Sequence, residues 1–127
     1  MIDFPSEYFQ KFTFSPRQLN AYADSARHQL KIAESSQMPE VMFEFSYNAL
    51  IKFGICLLAE KGYKIRSVAG HHIRILEKMS KILNNEDVLI FGNRMRQERN
   101  FNLYDEGRLV SHKEAKEFFD FVSELIG

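Results

Sequence analysis

The chain has 127 residues, 45% of them apolar, and equal numbers of acidic and basic residues. This length gives room for one domain with a buried core, and zero formal net charge gives no overall attraction to nucleic acid or membranes. The single cysteine, Cys56, excludes an internal disulfide framework and fits a reducing compartment. The first residues contain no uninterrupted apolar stretch typical of a secretion signal, so we expect a cytoplasmic protein.

Capping residues and apolar spacing predict five helices. Ser15-Pro16-Arg17-Gln18 has the form of a capping box with proline at the first helical position, and Ser111-His112-Lys113-Glu114 forms a second box. The predicted helices cover residues 16–35, 39–61, 70–83, 86–100 and 111–126, and no strand pattern of useful length is visible. We therefore predict an all-α fold: an antiparallel up-down bundle of four or five helices in one domain, residues 1–127, with an N-terminal arm at 1–14.

The second predicted helix is apolar almost all round. Its longest apolar run, 43–59, is interrupted by Glu44, Asn48 and Lys52. A bilayer span needs about 20 apolar residues, so this pattern favours the buried central helix of a bundle and predicts no membrane contact. Gly54 lowers helix propensity there, which predicts close packing against another helix.

The most informative stretch is 99–104, where the fourth helical pattern is expected to run out. Val88, Phe91, Met95 and Arg99 are spaced by three and four, so they share one helix face. That face is apolar until it reaches the guanidinium. Because an unpaired buried charge is very costly, Arg99 needs a partner, either an internal carboxylate such as Asp105 or a phosphate.

Templates for metal and cofactor chemistry fail on this sequence. It has no glycine-rich phosphate loop, no paired-cysteine zinc pattern and no nucleophile-elbow serine. His71 and His72 are adjacent, so we expect their side chains to point apart on a helix and not to bind one metal together. Cys56 is expected to be inert in the core. We predict no metal and no cofactor.

The order of several motifs resembles the HEPN superfamily (higher eukaryotes and prokaryotes nucleotide-binding) over residues 15–126. The motifs are Gly62-Tyr63, Gly70-His71-His72, a helix ending in Arg99-Asn100, Tyr104-Asp105, Ser111 and Glu114-Ala115. HEPN domains are small all-α bundles, often found in prokaryotic toxin–antitoxin and defence systems. The resemblance implies a homodimer, RNA or a nucleotide as ligand, and a partner protein such as a nucleotidyltransferase.

In ribonuclease members of that family a histidine follows the Arg-Asn pair, and two protomers form a composite, metal-independent cleft. The matching residue here is Tyr104, whose phenol is a poor general base at neutral pH. The resemblance thus implies a cleft with Arg99, Asn100 and Tyr104 and weak or absent RNA cleavage, which Tyr104→His is expected to raise. A basic segment, residues 61–81, would supply the outer rim of the cleft through Lys64, Arg66 and Arg74.

A second hypothesis explains the same residues without a ligand. A cation near a helix C-terminus is favourable, so Arg99 could cap the fourth helix or pair with Asp105. Tyr104 would then pack in the following loop. The chain would be a non-catalytic helical module for protein–protein interaction, with the basic segment as a solvated surface.

Overall fold

The structure, a computed structural model, describes residues 1–104 and 110–127, with the side chains of 101–109 outside the description. In chain order these residues form β1 (Phe9–Lys11), α1 (Pro16–Ser35), α2 (Pro39–Glu60), β2 (Tyr63–Ile65), α3 (His71–Leu83), α4 (Glu86–Tyr104) and α5 (His112–Ile126). The described chain is mostly helical, so the predicted all-α bundle is confirmed.

The helix starts follow the capping residues seen in the sequence. Ser15 Oγ accepts a hydrogen bond from the Gln18 amide at 3.2 Å, and Gln18 Oε1 accepts one from the Ser15 amide at 2.8 Å. Ser111 Oγ accepts from the Glu114 amide at 3.1 Å. The first motif is a complete capping box, and at the second the serine caps one amide. Both satisfy amides that the first helical turn leaves without a partner, which explains why the predicted starts agree with the structure to within one residue.

One helix end was predicted wrongly. The prediction ended α4 at residue 100, whereas it continues to Tyr104. Asn100 alone does not stop a helix, and the residues that follow it include neither glycine nor proline until Gly107. Arg99 therefore lies within α4, one turn before its end, and does not cap the helix C-terminus.

A short β-ribbon attaches the N-terminal arm (residues 1–14) to the bundle. β1 pairs antiparallel with β2 in the register Phe9↔Ile65, Gln10↔Lys64 and Lys11↔Tyr63. The segment between the second and third predicted helices thus begins with a strand. Strands of three residues are too short for an alternating pattern to be recognised in the sequence.

Helix α2 forms the centre of the bundle and packs against α1, α5 and α3. Tyr47, Leu50 and Leu58 are almost completely buried along it. By length and composition alone, α2 is the one helix in the described residues that could also cross a membrane. That is weak evidence for a span, because the central helix of a soluble bundle has the same composition and 56% of the relevant window is buried.

Two glycines set the position of α3. A Cβ atom at Gly54 of α2 would stand 2.5 Å from side-chain atoms of both Ile75 and Met79. One at Gly92 of α4 would stand 2.6 Å from Leu76. These separations are shorter than any van der Waals contact, so the close packing predicted at Gly54 is confirmed. Helix α3 packs against α2 and α4 at the two positions where a glycine leaves no side chain.

Candidate functional site

A cleft of about 400 Å³ lies between the start of α3 and the last third of α4. We call it the α3–α4 cleft. Its α4 wall carries Arg96, Arg99 and Asn100, and its other wall is the loop and first turn of α3: Val68, Ala69, Gly70, His71, His72 and Ile73. The cleft thus brings together two of the predicted site residues, Arg99 and Asn100, and two histidines for which no site was predicted.

Arg99 has an internal carboxylate partner, but a different one from that proposed. Its Nε donates to Glu44 Oε1 on α2 at 3.2 Å, and its guanidinium carbon lies 5.5 Å from the centre of the Tyr47 ring. Asp105 lies outside the described residues. The Arg99 side chain is 29% exposed and that of Glu44 is 42% exposed. An ion pair this accessible to water is weak, typically about 0–1 kcal/mol.

Arg96 is a second cation of the cleft, which the sequence analysis missed. It precedes Arg99 by three residues, so the two share a face of α4. Its Nε and one of its terminal nitrogens donate to Asn93 Oδ1 at 3.1 and 3.0 Å. Because the partner is a neutral amide, the charge of Arg96 is not neutralised by this contact.

The expectation that His71 and His72 point apart is wrong. Their ring centres are 4.5 Å apart in an edge-to-face arrangement. Both residues lie in the first turn of α3, and the side chain of His71 also contacts the preceding loop. His71 Nδ1 lies 3.0 Å from the Val68 carbonyl oxygen. A carbonyl can only accept, so Nδ1 carries the proton, and in the neutral ring Nε2 holds a lone pair.

The contact with Tyr47 places His72 in the other neutral tautomer, in which Nε2 carries the proton. The phenol oxygen lies 2.9 Å from His72 Nδ1. Burial raises the pKa of Tyr47 to about 12. Burial, together with the nearby His71 and the two arginines, lowers the pKa of His72 to about 4. The phenol therefore donates, His72 is neutral at pH 7, and its Nε2 carries the remaining proton.

The basic residues predicted to form the outer rim of the cleft lie against the N-terminal arm instead. Lys64 Nζ stands 4.0 Å from the centre of the Phe12 ring, and Arg66 Nε donates to the Ser6 carbonyl oxygen at 2.9 Å. Arg74 donates to the Tyr8 hydroxyl at 3.0 Å. All three of these basic residues contact the N-terminal arm, and none lines the α3–α4 cleft.

The remaining predictions concern Tyr104, metal binding and Cys56. The side chain of Tyr104 lies outside the described residues, so its proposed place beside Arg99 stays a prediction. In the part of the chain that the structure describes, no group of three or more histidine, cysteine or acidic residues is placed to hold a metal ion. Cys56 is buried, and burial beside Glu60 raises the pKa of its thiol, which makes it a poor nucleophile.

Comparisons with known proteins give no relative for this chain: no family model, curated protein or solved structure matches it.

Proposed function

We propose that this chain is a HEPN-like helical bundle that binds the phosphates of a nucleic acid or nucleotide in the α3–α4 cleft. The convergence of Arg96 and Arg99 on one cavity supports the proposal. A guanidinium keeps its charge at physiological pH and presents several N–H donors, which suits phosphate oxygens. The amides at the start of α3 favour the same ligand, since Gly70 provides no side chain to cap them.

The charges of the cleft leave room for an anion. Arg96 is bonded to an amide, and Glu44 is a carboxylate that contacts Arg99 from α2. Because the Arg99–Glu44 pair is partly exposed, a phosphate can replace Glu44 as the partner of the Arg99 guanidinium at little energetic cost. A neutral protein can thus bind a polyanion locally, without a basic surface overall.

The resemblance supplies the remainder of the proposal. It includes a homodimer, a cytoplasmic location, a role in toxin–antitoxin or defence systems, and a partner protein such as a nucleotidyltransferase. Cleavage of RNA is weak or absent in this proposal because Tyr104 stands where the ribonucleases have histidine. Static light scattering that gave a monomer mass at micromolar protein would contradict the homodimer.

The direct test is a titration of a fluorescently labelled single-stranded RNA pool with the protein at fixed salt, in which fluorescence anisotropy measures binding. Arg99→Ala and Arg96→Ala are each expected to weaken binding about tenfold or more, as the loss of a charge-assisted hydrogen bond does. Arg27→Ala is the matched control, because this arginine lies on α1 and pairs with Asp24 at the surface. Equal affinities for all four proteins would contradict the phosphate-binding cleft.

The Arg99–Glu44 contact also supports a second candidate, a non-catalytic protein-interaction module. In that case Arg99 joins α4 to α2 and stacks near Tyr47 for structural reasons. Arg99→Ala would then lower the melting temperature, while the wild-type protein would bind no RNA. The same set of variants separates the two functions when thermal unfolding is measured beside binding.

A further inference from the structure

Another cavity lies between α4 and α5, apart from the α3–α4 cleft, and we call it the α4–α5 groove. It has a volume of about 360 Å³ and is lined by Phe91, Glu117, Asp120, Phe121 and Glu124. None of these residues lines the α3–α4 cleft. The binding of phosphate in the cleft therefore does not account for the groove.

The floor of the groove is aromatic. The rings of Phe91 and Phe121 stack with their centres 4.8 Å apart and their planes inclined by 18°. Both side chains stay partly exposed, although phenylalanine is among the residues most often fully buried. Apolar surface that is exposed in a concavity and surrounded by polar residues is typical of a surface that binds another molecule.

The wall that α5 contributes to the groove is acidic. Glu117 precedes Phe121 by four residues and Glu124 follows it by three, so these side chains form one line along the helix. Asp120 pairs with Lys116. Glu117 and Glu124 are exposed, and within the part of the chain that the structure describes neither has an ion-pair partner. Phe121 thus has an available carboxylate one helical turn to either side.

One cation of the chain already lies against this aromatic surface. The guanidinium carbon of Arg94 is 5.5 Å from the centre of the Phe91 ring and 5.3 Å from that of the Phe118 ring. The face of an aromatic ring attracts a cation, and a carboxylate nearby adds to the attraction. A lysine or arginine of a partner would meet both groups at Glu117 and at Glu124.

We propose that the α4–α5 groove binds a basic amphipathic helix of a partner protein, with an apolar side chain of that helix against Phe91 and Phe121 and a cation one turn to either side of it. Charge complementarity selects this occupant. Glu117 and Glu124 flank Phe121 at the spacing at which a helix presents neighbouring side chains on one face, so a helix of opposite charge matches them. The inference goes beyond the proposed function and does not depend on it.

The test titrates the protein into a fluorescently labelled, alanine-based helical peptide of about 15 residues, with a central leucine and lysines three and four residues to each side of it. Fluorescence anisotropy measures binding. One control peptide has glutamine in place of the lysines, and another has alanine in place of the leucine. Wild type is expected to bind the basic leucine peptide about five- to tenfold more tightly than either control, and added salt should weaken that binding. Absence of binding, or equal binding of the three peptides, would overturn the inference.

Two changes in the protein show whether the peptide lies in the groove. Glu117→Gln/Glu124→Gln removes both charges at nearly constant volume and is expected to weaken binding of the basic peptide about two- to tenfold. Phe121→Ala removes half of the aromatic floor and is expected to weaken it about fivefold or more. Glu34→Gln/Glu40→Gln, at exposed positions of α1 and α2, is the matched control and should bind like wild type.

The charge variant keeps the inference falsifiable if Phe121→Ala fails to fold, because Glu117 and Glu124 are exposed and their replacement leaves the core intact. If Glu117→Gln/Glu124→Gln binds the basic peptide as tightly as wild type does, the inference is wrong. Light scattering should give this variant the same mass as wild type. A change in mass would show that a second copy of the chain occupies the groove, which would also overturn the inference.

The same titrations separate this inference from the proposed function. Arg99→Ala should leave binding of the peptide unchanged, since Arg99 does not line the groove. If wild type binds RNA and not the peptide, the phosphate cleft stands and the groove inference is wrong. If it binds the peptide and not RNA, the groove inference stands and the proposed function is wrong.

Discussion

The N-terminal arm and the α3–α4 cleft both gather basic side chains but use them differently. At the arm, Lys64 and Arg74 lie over aromatic rings, and the ammonium of Lys78 stands 5.8 Å from the centres of the Phe4 and Phe9 rings. At the cleft, Arg96 and Arg99 line an open cavity. The comparison teaches that a basic run in a sequence does not by itself show which cations line an open cavity. Here the arm occupies the run, and the cleft takes its cations from another helix.

The largest expected effect comes from breaking the arm. Phe9 is 2% exposed, and Phe9→Ala is expected to lower the free energy of unfolding by about 3–5 kcal/mol through lost contacts and a cavity. Urea unfolding followed by circular dichroism measures it. The folded variant should bind RNA like wild type if the arm and the cleft are separate. A loss of under about 1 kcal/mol would show that the arm is not part of the core.

A second effect, on the order of 2 kcal/mol after allowance for the partial exposure of His72, is expected from acid at the cleft. Since the pKa of His72 is about 4 in the folded protein and about 6.5 in an unfolded chain, the unfolded state takes up the proton first as pH falls. The contribution of His72 to stability is complete above about pH 6.5 and is lost progressively down to about pH 4.

Urea unfolding at a series of pH values, with His72→Gln beside wild type, isolates that contribution. The glutamine does not titrate, so the variant should lose less stability than wild type across the same window. His28→Gln, at an exposed site on α1, should follow wild type. Parallel curves for wild type and His72→Gln would show that His72 is not held neutral.

A smaller effect is expected at Glu44. Glu44→Gln removes the carboxylate that pairs with Arg99, so RNA affinity is expected to rise a few-fold if the proposed phosphate site is right. The unfolding free energy should change by about 1 kcal/mol or less, since the ion pair is partly exposed. Anisotropy titration and urea unfolding give the two values. Weaker RNA binding by this variant would indicate that Glu44 positions Arg99 and does not compete for it.

The smallest effect is expected from Lys64. Its ammonium lies over the Phe12 ring, outside the cleft, so Lys64→Ala should change RNA affinity less than twofold and stability by about 0.5 kcal/mol. Arg96→Ala, measured in the same titration, should weaken binding far more. If the two variants weaken binding equally, the basic segment acts as the rim that the sequence suggested.

Local chemistry explains which parts of the fold could be predicted. Ser15 and Ser111 determine helix starts through hydrogen bonds to residues three positions away, so the sequence contains the whole signal. The end of α4 and the three-residue strands have no such local marker. Asn100 has only a weak tendency to end a helix, so α4 continues through the residues after it. The β1–β2 pairing joins segments more than 50 residues apart.

The cleft was only half predictable for a related reason. Arg99 was singled out because an arginine follows apolar residues on one helix face. Its partner, Glu44, is 55 positions away, and nothing in the sequence joins them. The two histidines were set aside because adjacent residues on a helix are expected to point apart, whereas their rings are in contact. Arg96 did carry a readable signal, since it stands three residues before Arg99.

The two glycines against α3 place a restriction on how this site can evolve. His71 and His72 lie in the first turn of α3. Further along the same helix, Ile75 and Met79 pack against Gly54, and Leu76 packs against Gly92. A side chain at either glycine would force the Ile75, Leu76 or Met79 side chain to shift, and any displacement of α3 that follows would move the imidazoles. Gly54 and Gly92, which lie outside the cleft lining, thereby constrain the distance between the histidines and the arginines. We expect substitutions at these glycines to be tolerated only together with a smaller residue on α3.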